Sequence, residues 1–279
     1  MIAGNKDVQI YYEILGTKTP PILMIEGIGY SNWMWFKQRL DLAPKRQMVT
    51  FDNRGVGKSS SPAGAYTMKD MVEDMQAVVE DAGIEKMYVL GISMGGMIAQ
   101  EYYFSHRERV SGLILSNTNY GKGSVLPSQE VLKILSSSSS GQFNYDGLVE
   151  RMKPATSRHF SEEKKGEFDE LVKIRLANGD DAKGYMGQLY AVSGFDSRGR
   201  LPQIQAPTLI ITADEDIVVP PENATELHRR IPRSKLLVFK GAGHLLCIER
   251  FSDYDRRMLA FVEEIESGAF ARVEDPEFV

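Results

Sequence analysis

The sequence predicts an α/β protein in which a mostly parallel sheet has helices on both faces. Short apolar runs alternate with amphipathic stretches near both ends of the chain, and this alternation is typical of parallel strands joined by helices. Between about residues 119 and 201 the alternation stops, and only helical patterns remain. We therefore predict one sheet core, residues 1–118 and 202–279, interrupted by a helical insertion, residues 119–201.

The composition is that of an ordinary globular protein. The chain has 279 residues, of which 42% are hydrophobic and 25% charged, enough for one large α/β domain or two small ones. A net charge of -5 leaves no basic excess for neutralising phosphates, so we expect no nucleic-acid partner.

No apolar run approaches the roughly 20 residues that span a bilayer. We expect no signal peptide and no membrane partner. The single cysteine excludes an internal disulfide and fits a cytoplasmic location.

The first 118 residues alternate between strand and helix patterns. Thr67 is a suitable N-cap for a helix whose apolar residues share one face, and Gly83 ends that helix. The predicted strands cover residues 8–15, 21–26, 47–51, 87–90 and 110–116, and the predicted helices 31–40 and 68–82.

The helical insertion has helix patterns only, whereas the last part of the chain again alternates between strand and helix patterns. In the insertion we predict helices over 129–135, 145–152, 162–176 and 182–192, with a flexible linker over 136–141. Strands then return at 207–212 and 235–239, with helices at 222–230 and 252–265. The tail after Gly268 is expected to be weakly structured.

A serine stands between one predicted strand and the helix that follows it. Ser93 lies in Gly91-Ile92-Ser93-Met94-Gly95, which has the spacing G-x-S-x-G. This spacing is typical of a strained turn in which side chains at both glycine positions would collide with neighbouring elements. The turn lifts the serine hydroxyl above the sheet and directs the first amides of the helix at a bound group. Ser93 is therefore a candidate nucleophile.

A serine nucleophile needs a base within hydrogen-bond reach. Of the four histidines, His106 ends the helix after Ser93, His159 lies in the insertion and His228 lies in a charged helix. His244 directly follows the strand over 235–239, in a loop at the edge of the sheet where ligands bind in open α/β folds. We predict that His244 is the base.

The base needs an acid that orients it. The stretch Ile211-Thr212-Ala213-Asp214-Glu215-Asp216 places three carboxylates after the preceding strand, at the same edge of the sheet. Any of them gives the chain order serine, acid, histidine. The position alone leaves the choice among the three open.

Five stretches resemble motifs of the α/β-hydrolase superfamily, in its branch of small serine esterases, enol-lactonases, C–C bond hydrolases and haloperoxidase-like proteins. The resemblance covers nearly the whole chain, and it implies a mostly parallel eight-stranded sheet with the helical insertion as a cap over the active site. In this family the acid stands four residues before a proline, which Asp216 and Pro220 match, so Asp214 is second choice. The stretches are 91–96 (GISMGG), 51–59 (FDNRGVGKS), 207–211 (PTLII), 216–220 (DIVVP) and 241–244 (GAGH).

The resemblance also implies an oxyanion hole formed by two backbone amides, those of Ile28 and Met94. The family usually has a histidine before the glycine of this loop, whereas this chain has Glu26-Gly27. Two interpretations of Glu26 stay open. Its side chain points away from the site or pairs with an arginine, or it takes part in substrate selection or in positioning water.

Methionines and aromatic residues in and near the insertion predict an apolar or partly apolar substrate. Arg151, Arg158 and Arg175 could bind a dicarboxylate, although they form no clear cluster in the sequence. The predicted substrate-binding residues are Gly27, Trp33, Met97, Met186 and Tyr190, within a wider set that includes Met34, Trp35, Met94, Met152, Tyr185 and Phe195.

These residues predict a carboxylesterase-like serine hydrolase that cleaves small esters or lactones through an acyl-enzyme. Ser93 would be the nucleophile, His244 the base and Asp216 the acid, with no cofactor or metal. The same triad would also serve a C–C bond hydrolase of a diketone-like substrate or a perhydrolase. A non-catalytic receptor for a small ligand is a third alternative. Monomer and homodimer both stay open.

Overall fold

The computed structural model describes residues 1–136, 144–179 and 181–279. The strands are β1 (Ile2–Asn5), β2 (Val8–Leu15), β3 (Ile22–Ile25), β4 (Met48–Phe51), β5 (Met87–Ile92), β6 (Val110–Ser116), β7 (Thr208–Ala213), β8 (Ser234–Phe239) and β9 (Glu277–Phe278). Within these residues they form one nine-stranded sheet in the order β1-β2-β4-β3-β5-β6-β7-β8-β9. β2 pairs antiparallel with β1 and β4, and the other pairings are parallel.

Helices cover both faces of the sheet, as predicted. They are α1 (Phe36–Asp41), α2 (Met68–Asp81), α3 (Met94–His106), α4 (Gln129–Ser136), α5 (Tyr145–Met152), α6 (Arg158–Glu162), α7 (Lys165–Asn178), α8 (Ala182–Ser193), α9 (Glu222–Arg230), α10 (Leu246–Glu249) and α11 (Phe251–Glu266). Every residue of β3, β4, β5 and β7 is buried. These strands are continuous apolar runs because both of their faces are covered.

Two hydrophobic layers pack on opposite faces of the sheet. In β3, Leu23 and Ile25 face the layer that contains apolar residues of α2 and α3, whereas Ile22 and Met24 face the layer that contains α11. This separation follows from the two-residue period of a strand. Apolar residues of α5 and α7, two helices of the insertion, belong to the same layer as α11.

Helix α2 begins as the sequence indicates. The Thr67 side chain accepts a hydrogen bond from the Asp70 amide, and the Asp70 side chain accepts one from the Thr67 amide. This capping box satisfies two backbone donors that the first turn leaves unpaired.

The sheet has two strands that the sequence patterns did not predict. β1 forms a hairpin with β2, and β9 lies in the tail that was expected to be weakly structured. The Val279 amide donates to the Val238 carbonyl (2.9 Å) and the Lys240 amide donates to the Val279 carbonyl (2.9 Å). Strands of four and two residues are too short to show a period, so their pairing depends on the neighbouring strand rather than on their own pattern.

The predicted helix over 162–176 corresponds to α7, and the short helix α6, which ends at Glu162, precedes it. The predicted linker over 136–141 lies, beyond Ser136, outside the described residues.

Among the described residues, no helix is both long and apolar enough to cross a membrane. The division of the chain into a core and a cap stays a prediction.

Direct contacts join the insertion to loops of the core. A Cβ built on Gly184 in α8 would lie 1.8 Å from the carbonyl oxygen of Gly55. The two backbones can therefore touch only because both residues are glycine. Nearby, the Leu245 amide donates to the Ala155 carbonyl (2.8 Å), and the Glu249 carboxylate accepts from the Ser157 amide (3.1 Å). The insertion thus meets the loops that follow β4 and β8.

Candidate active site

Ser93 has the strained backbone that its motif predicts. It lies between β5 and α3 with φ 55° and ψ -119°, in a region that residues with a Cβ rarely adopt. The Ser93 amide donates to the Ser116 carbonyl (3.0 Å), and the Thr118 hydroxyl donates to the Ser93 carbonyl (2.6 Å). Residues at the end of β6 therefore hold the turn in this conformation.

The glycines around Ser93 are required by close packing. A Cβ on Gly91 would lie 2.2 Å from the carbonyl oxygen of Gly95, and one on Gly95 would lie 2.2 Å from that of Ile25. Both distances are far below any real carbon–oxygen contact. The G-x-S-x-G spacing thus has the physical basis that the sequence indicates.

His244 and Asp216 form a buried pair. His244 Nδ1 lies 2.8 Å from Asp216 Oδ2, and the two residues are 8% and 2% exposed. They follow β8 and β7, two neighbouring parallel strands. Asp214, the second choice, is exposed and accepts a hydrogen bond from the Gly241 amide. Between the two aspartates, the structure pairs Asp216 with the histidine.

Three other donors orient the Asp216 carboxylate. Its Oδ1 accepts from the amides of Val218 (2.9 Å) and Val219 (2.8 Å), and its Oδ2 accepts from Asn117 Nδ2 (2.7 Å) as well as facing His244. Both oxygens thus act as acceptors, which suits an ionised carboxylate.

The sequence patterns did not identify Asn117. It is 1% exposed and has φ 44°, and its Oδ1 accepts a hydrogen bond from the Ser116 hydroxyl (3.1 Å). A signal for it was present, since polar residues replace the apolar run at the end of β6, at the same edge of the sheet as Ser93 and Asp216.

A cavity lies beside Ser93 and His244. It has about 680 Å³ of empty volume, including its opening to solvent. Most of the described residues around it are apolar or aromatic, and some come from the core and others from the insertion. The lining residues are Gly27, Ile28, Tyr30, Met34, Ile92, Ser93, Leu148, Arg151, Met152, Ala155, Arg175, Tyr185, Val218, His244 and Leu245.

The geometry is compatible with the predicted pair of amide donors. Met94 is the first residue of α3, so its amide has no acceptor within the helix. Ile28 lines the cavity, and the next amide along, that of Gly29, donates to Gln188 Oε1 (2.8 Å). Gln188 belongs to α8, so the insertion fixes the loop that carries Ile28.

Glu26 lies beneath this loop rather than in the cavity. It is 0% exposed, and its Oε1 accepts a hydrogen bond from the Asn53 amide (3.1 Å). Burial, followed by the negative charge of Asp52, raises the pKa of Glu26 well above its ordinary value, which favours the uncharged acid. The described contact of Glu26 is therefore a backbone amide and not an arginine.

The structure places four of the five predicted substrate-binding residues outside the cavity. Gly27 lines it, but Met97 packs in the hydrophobic layer with α2. Trp33 is 8% exposed, and its ring contacts that of Tyr30 at an angle of 37°. Met186 and Tyr190 are 47% and 60% exposed. A methionine or aromatic residue does not reveal from its type which face of its helix is buried.

Other residues of the wider set do reach the cavity. Met34, Met152 and Tyr185 line it. In α8 the residue that reaches the cavity is thus Tyr185, one position before the exposed Met186. A shift of one residue turns a helical side chain by about 100°.

The three arginines of the insertion have different surroundings. Arg175 is 3% exposed, donates to the Gly29 carbonyl and lies over the Tyr30 ring at 4.7 Å from the ring centre. Arg151 lies over the Tyr185 ring at 5.4 Å. Arg158 is exposed, pairs with Glu162 and lines a different groove. Arg151 and Arg175 therefore share the cavity with Ser93, and Arg158 does not.

His228 and His159 contact other side chains, away from Ser93. His228 Nδ1 lies 2.8 Å from the Ser234 hydroxyl, and His159 Nδ1 lies 2.9 Å from Glu163 at an exposed position. Within the described ranges, no group of three or more His, Cys, Asp or Glu side chains is arranged to hold a metal ion.

Comparisons with known proteins agree with this fold. One curated relative is a candidate carbamate hydrolase, RutD, of Azorhizobium caulinodans, 27% identical over 95% of this chain and 98% of that protein. Another is a poly(3-hydroxyalkanoate) depolymerase of Ectopseudomonas oleovorans, 28% identical over 88% of this chain and 84% of that protein. The structure of an esterase from Exiguobacterium antarcticum has a TM-score of 0.80 and 25% identity, covering 94% of this chain and 98% of that chain. The family model described as alpha/beta hydrolase fold matches residues 20–251. The chain therefore belongs to the alpha/beta hydrolase family and is a hydrolase.

Proposed function

We propose that this hydrolase is a serine esterase that cleaves small carboxylic esters or lactones through an acyl-enzyme. The observation that carries the proposal is the position of the strained Ser93 at the cavity that His244 also lines, with His244 held by the buried Asp216. Ester cleavage is also consistent with the esterase among the similar structures and with the depolymerase among the relatives.

The proposed reaction has two steps. The Ser93 hydroxyl attacks the ester carbonyl while His244 Nε2 takes its proton, and Asp216 stabilises the imidazolium through Nδ1. The amides of Ile28 and Met94 donate to the oxyanion of the tetrahedral intermediate. When the intermediate collapses, the bond to the leaving alcohol breaks and His244 gives the alcohol the proton.

A water molecule then enters and completes the cycle. His244 takes a proton from this water as the water oxygen attacks the acyl-enzyme carbonyl. The second tetrahedral intermediate releases the carboxylic acid and returns the proton to Ser93. A lactone follows the same path, except that its alcohol stays attached to the acyl group.

The insertion is proposed to act as a cap that sets the size and the polarity of the cavity. Leu148 and Met152 of α5 and Tyr185 of α8 line the same cavity as Ser93 and His244 of the core. A cavity with this mainly apolar lining suits a small acyl group, because it removes apolar surface from water.

The test combines covalent labelling with turnover. A fluorophosphonate probe should label wild-type protein at Ser93, and 4-nitrophenyl esters of increasing chain length should be hydrolysed with multiple turnovers. The variant S93A should lose labelling and about 10⁴–10⁶ of kcat.

The alternatives give different results in the same assay. Labelling without turnover on esters, lactones or amides would favour a receptor. Cleavage of a vinylogous diketone at a rate far above that of every ester would favour a C–C bond hydrolase. Retention of esterase activity by S93A would exclude Ser93 as the nucleophile.

A further inference from the structure

The two residues that flank His244 in the chain are both hydrogen-bonded through their backbone amides. The Gly243 amide donates to Glu249 Oε1 (3.1 Å). The Leu245 amide donates to the Ala155 carbonyl (2.8 Å). Glu249 is the last residue of α10, and Ala155 belongs to the insertion. The backbone on either side of His244 is thus fixed by one group from α10 and one group from the insertion.

The Glu249 carboxylate also connects this loop to the insertion. Its two oxygens each lie 3.1 Å from the Ser157 amide nitrogen, and Oε1 accepts from Gly243 as well. Glu249 is 6% exposed, and burial raises the pKa of its carboxyl, whereas the hydrogen bonds from Ser157 and Gly243 oppose the rise. A buried carboxyl is unfavourable unless hydrogen bonds compensate for the lost water. Here they do, and removal of the carboxyl would take this acceptor from two buried amides.

The loop before His244 also packs directly against the backbone of the insertion. A Cβ built on Gly243 would lie 2.5 Å from the Ser157 amide nitrogen, which leaves no room for a side chain. His244 Nδ1 must stay within hydrogen-bond distance of Asp216 Oδ2, now 2.8 Å away. The position of the imidazole therefore depends on a backbone that is held against residues 155–157.

We propose that Glu249 is a positioning residue for His244. It binds the Gly243 and Ser157 amides together and so keeps the imidazole against Asp216. The inference rests on the proposed function, in which His244 is the base. It gives the insertion a second role, because the contact at Ser157 supports the loop of the base as well as closing the cavity. Among the described residues, Glu249 is not part of the cavity lining, so its loss should lower kcat much more than it changes KM.

The first test compares E249A with E249Q. Alanine removes both hydrogen bonds, and we expect kcat for a neutral 4-nitrophenyl ester to fall about 10–100-fold, with KM within about threefold of wild type. Glutamine keeps one oxygen that can accept from both amides but places an NH2 group near the Ser157 amide. E249Q should therefore recover most of the kcat that E249A loses.

E215A is the matched control, because it removes a neighbouring contact of the same kind. Exposed Glu215, in the loop after β7, accepts from the amide of Arg158 (3.3 Å), the residue after Ser157. The variant thus weakens the link between core and insertion without touching the acceptor of the Gly243 amide. It should keep kcat within about twofold of wild type. Equal losses in E215A and E249A would overturn the proposal.

The second test observes His244 directly and needs no substrate. In protein that contains ¹⁵N-labelled histidine, with the His244 signals assigned from H244Q, the wild type should show a protonated Nδ1, as the hydrogen bond to Asp216 requires. We expect folded E249A to lose this Nδ1–H signal through exchange with water and E215A to keep it. A fall in kcat without a change in the signal would mean that Glu249 acts on stability alone, and it would overturn the proposal.

The two proposals fail in different ways. If esters are cleaved at Ser93 and E249A keeps the wild-type kcat and Nδ1–H signal, the positioning role is wrong and the esterase function stands. If the wild type cleaves no ester, the Nδ1–H signal decides the inference alone. If E249A does not fold, E249D replaces it, because its shorter side chain should lose at least one of the two amides. Loss of the signal in E249D would then support the proposal, and an unchanged signal would overturn it.

Discussion

The two sides of the cavity are built differently. On the core side, hydrogen bonds from fixed backbone and buried groups hold each proposed catalytic residue. The Ser93 backbone is held by residues at the end of β6, and three donors besides His244 orient Asp216. On the insertion side, side chains from separate helices line the wall. The core side thus suits chemistry that needs fixed geometry, and the insertion side suits selection among substrates.

This difference predicts that changes on the core side lower kcat, whereas changes on the insertion side alter KM and selectivity. The two sides are nevertheless joined at defined points. Gln188 of the insertion binds the Gly29 amide beside Ile28, and Gly184 touches Gly55. Variants at these points and at the buried acids test whether the two sides of the cavity act differently on kcat and KM.

Among the variants that test this difference between the two sides, the largest effect is expected for D216N. Asparagine keeps the shape of the side chain but removes its charge. Its amide also carries an NH2 donor where the carboxylate had an acceptor oxygen, and this disturbs the tautomer and orientation of His244. We expect kcat to fall by about 10³–10⁴ with a much smaller change in KM. Steady-state kinetics with a neutral 4-nitrophenyl ester measures both constants.

D214N is the matched control for this prediction. Asp214 is an exposed carboxylate two positions away, and its described partner is the Gly241 amide. It should keep kcat within a few-fold of wild type. A collapse of kcat in D214N together with an active D216N would transfer the acid role to Asp214.

A smaller effect, of a different kind, is expected for G184A. A methyl group at this position would overlap the Gly55 carbonyl, so α8 must move away from the loop after β4. We expect stability to fall by about 1–3 kcal/mol and KM to change several-fold while kcat changes less. Thermal unfolding and steady-state kinetics test the two parts.

G166A is the control for this variant, since a Cβ on Gly166 in α7 would have no neighbouring atom within 4 Å. Alanine has a higher helix propensity than glycine, so G166A should be neutral or more stable by up to about 1 kcal/mol. Equal behaviour of G184A and G166A would show that the contact between α8 and the core loop does not position the insertion.

The sequence specified the core side better than the insertion side, for a physical reason. The conformation of Ser93 depends on glycines two positions away, which is a local spacing. The order of β7 and β8 brings the carboxylates after β7 close to His244, and the resemblance to a motif with a proline four residues on selects Asp216 among them. Asn117 was missed because its role depends on a partner that lies 99 positions away in the sequence.

The insertion side depends on how helices are rotated against the core. Tyr185 and Met186 are neighbours in sequence, yet one lines the cavity and the other is exposed. Likewise, nothing in the residues around Arg151, Arg158 and Arg175 shows that only two of them reach the same cavity. Such rotations are set by tertiary packing rather than by local pattern.

The smallest effect on activity is expected for E26Q, which removes an acid beneath the loop that carries Ile28. Glu26 does not line the cavity, and its raised pKa favours an uncharged form that glutamine imitates. We expect kcat and KM to stay within about twofold of wild type. A much larger fall in kcat, with unchanged unfolding temperature, would support the interpretation that Glu26 takes part in catalysis.

Stability should distinguish E26Q from wild type more clearly than activity does. A carboxyl whose pKa is raised in the folded state keeps its proton on folding, and this contribution is fully present below the unfolded pKa of about 4.3. It is lost as the pH rises toward the folded value, because the folded state must then keep a proton that the unfolded state has released. Glutamine does not titrate, so the unfolding temperature of E26Q relative to wild type should rise as the pH increases above about 4.3. A difference that does not change with pH would mean that Glu26 is ionised in the folded protein, and a charge would then lie under the loop that both sides of the cavity share.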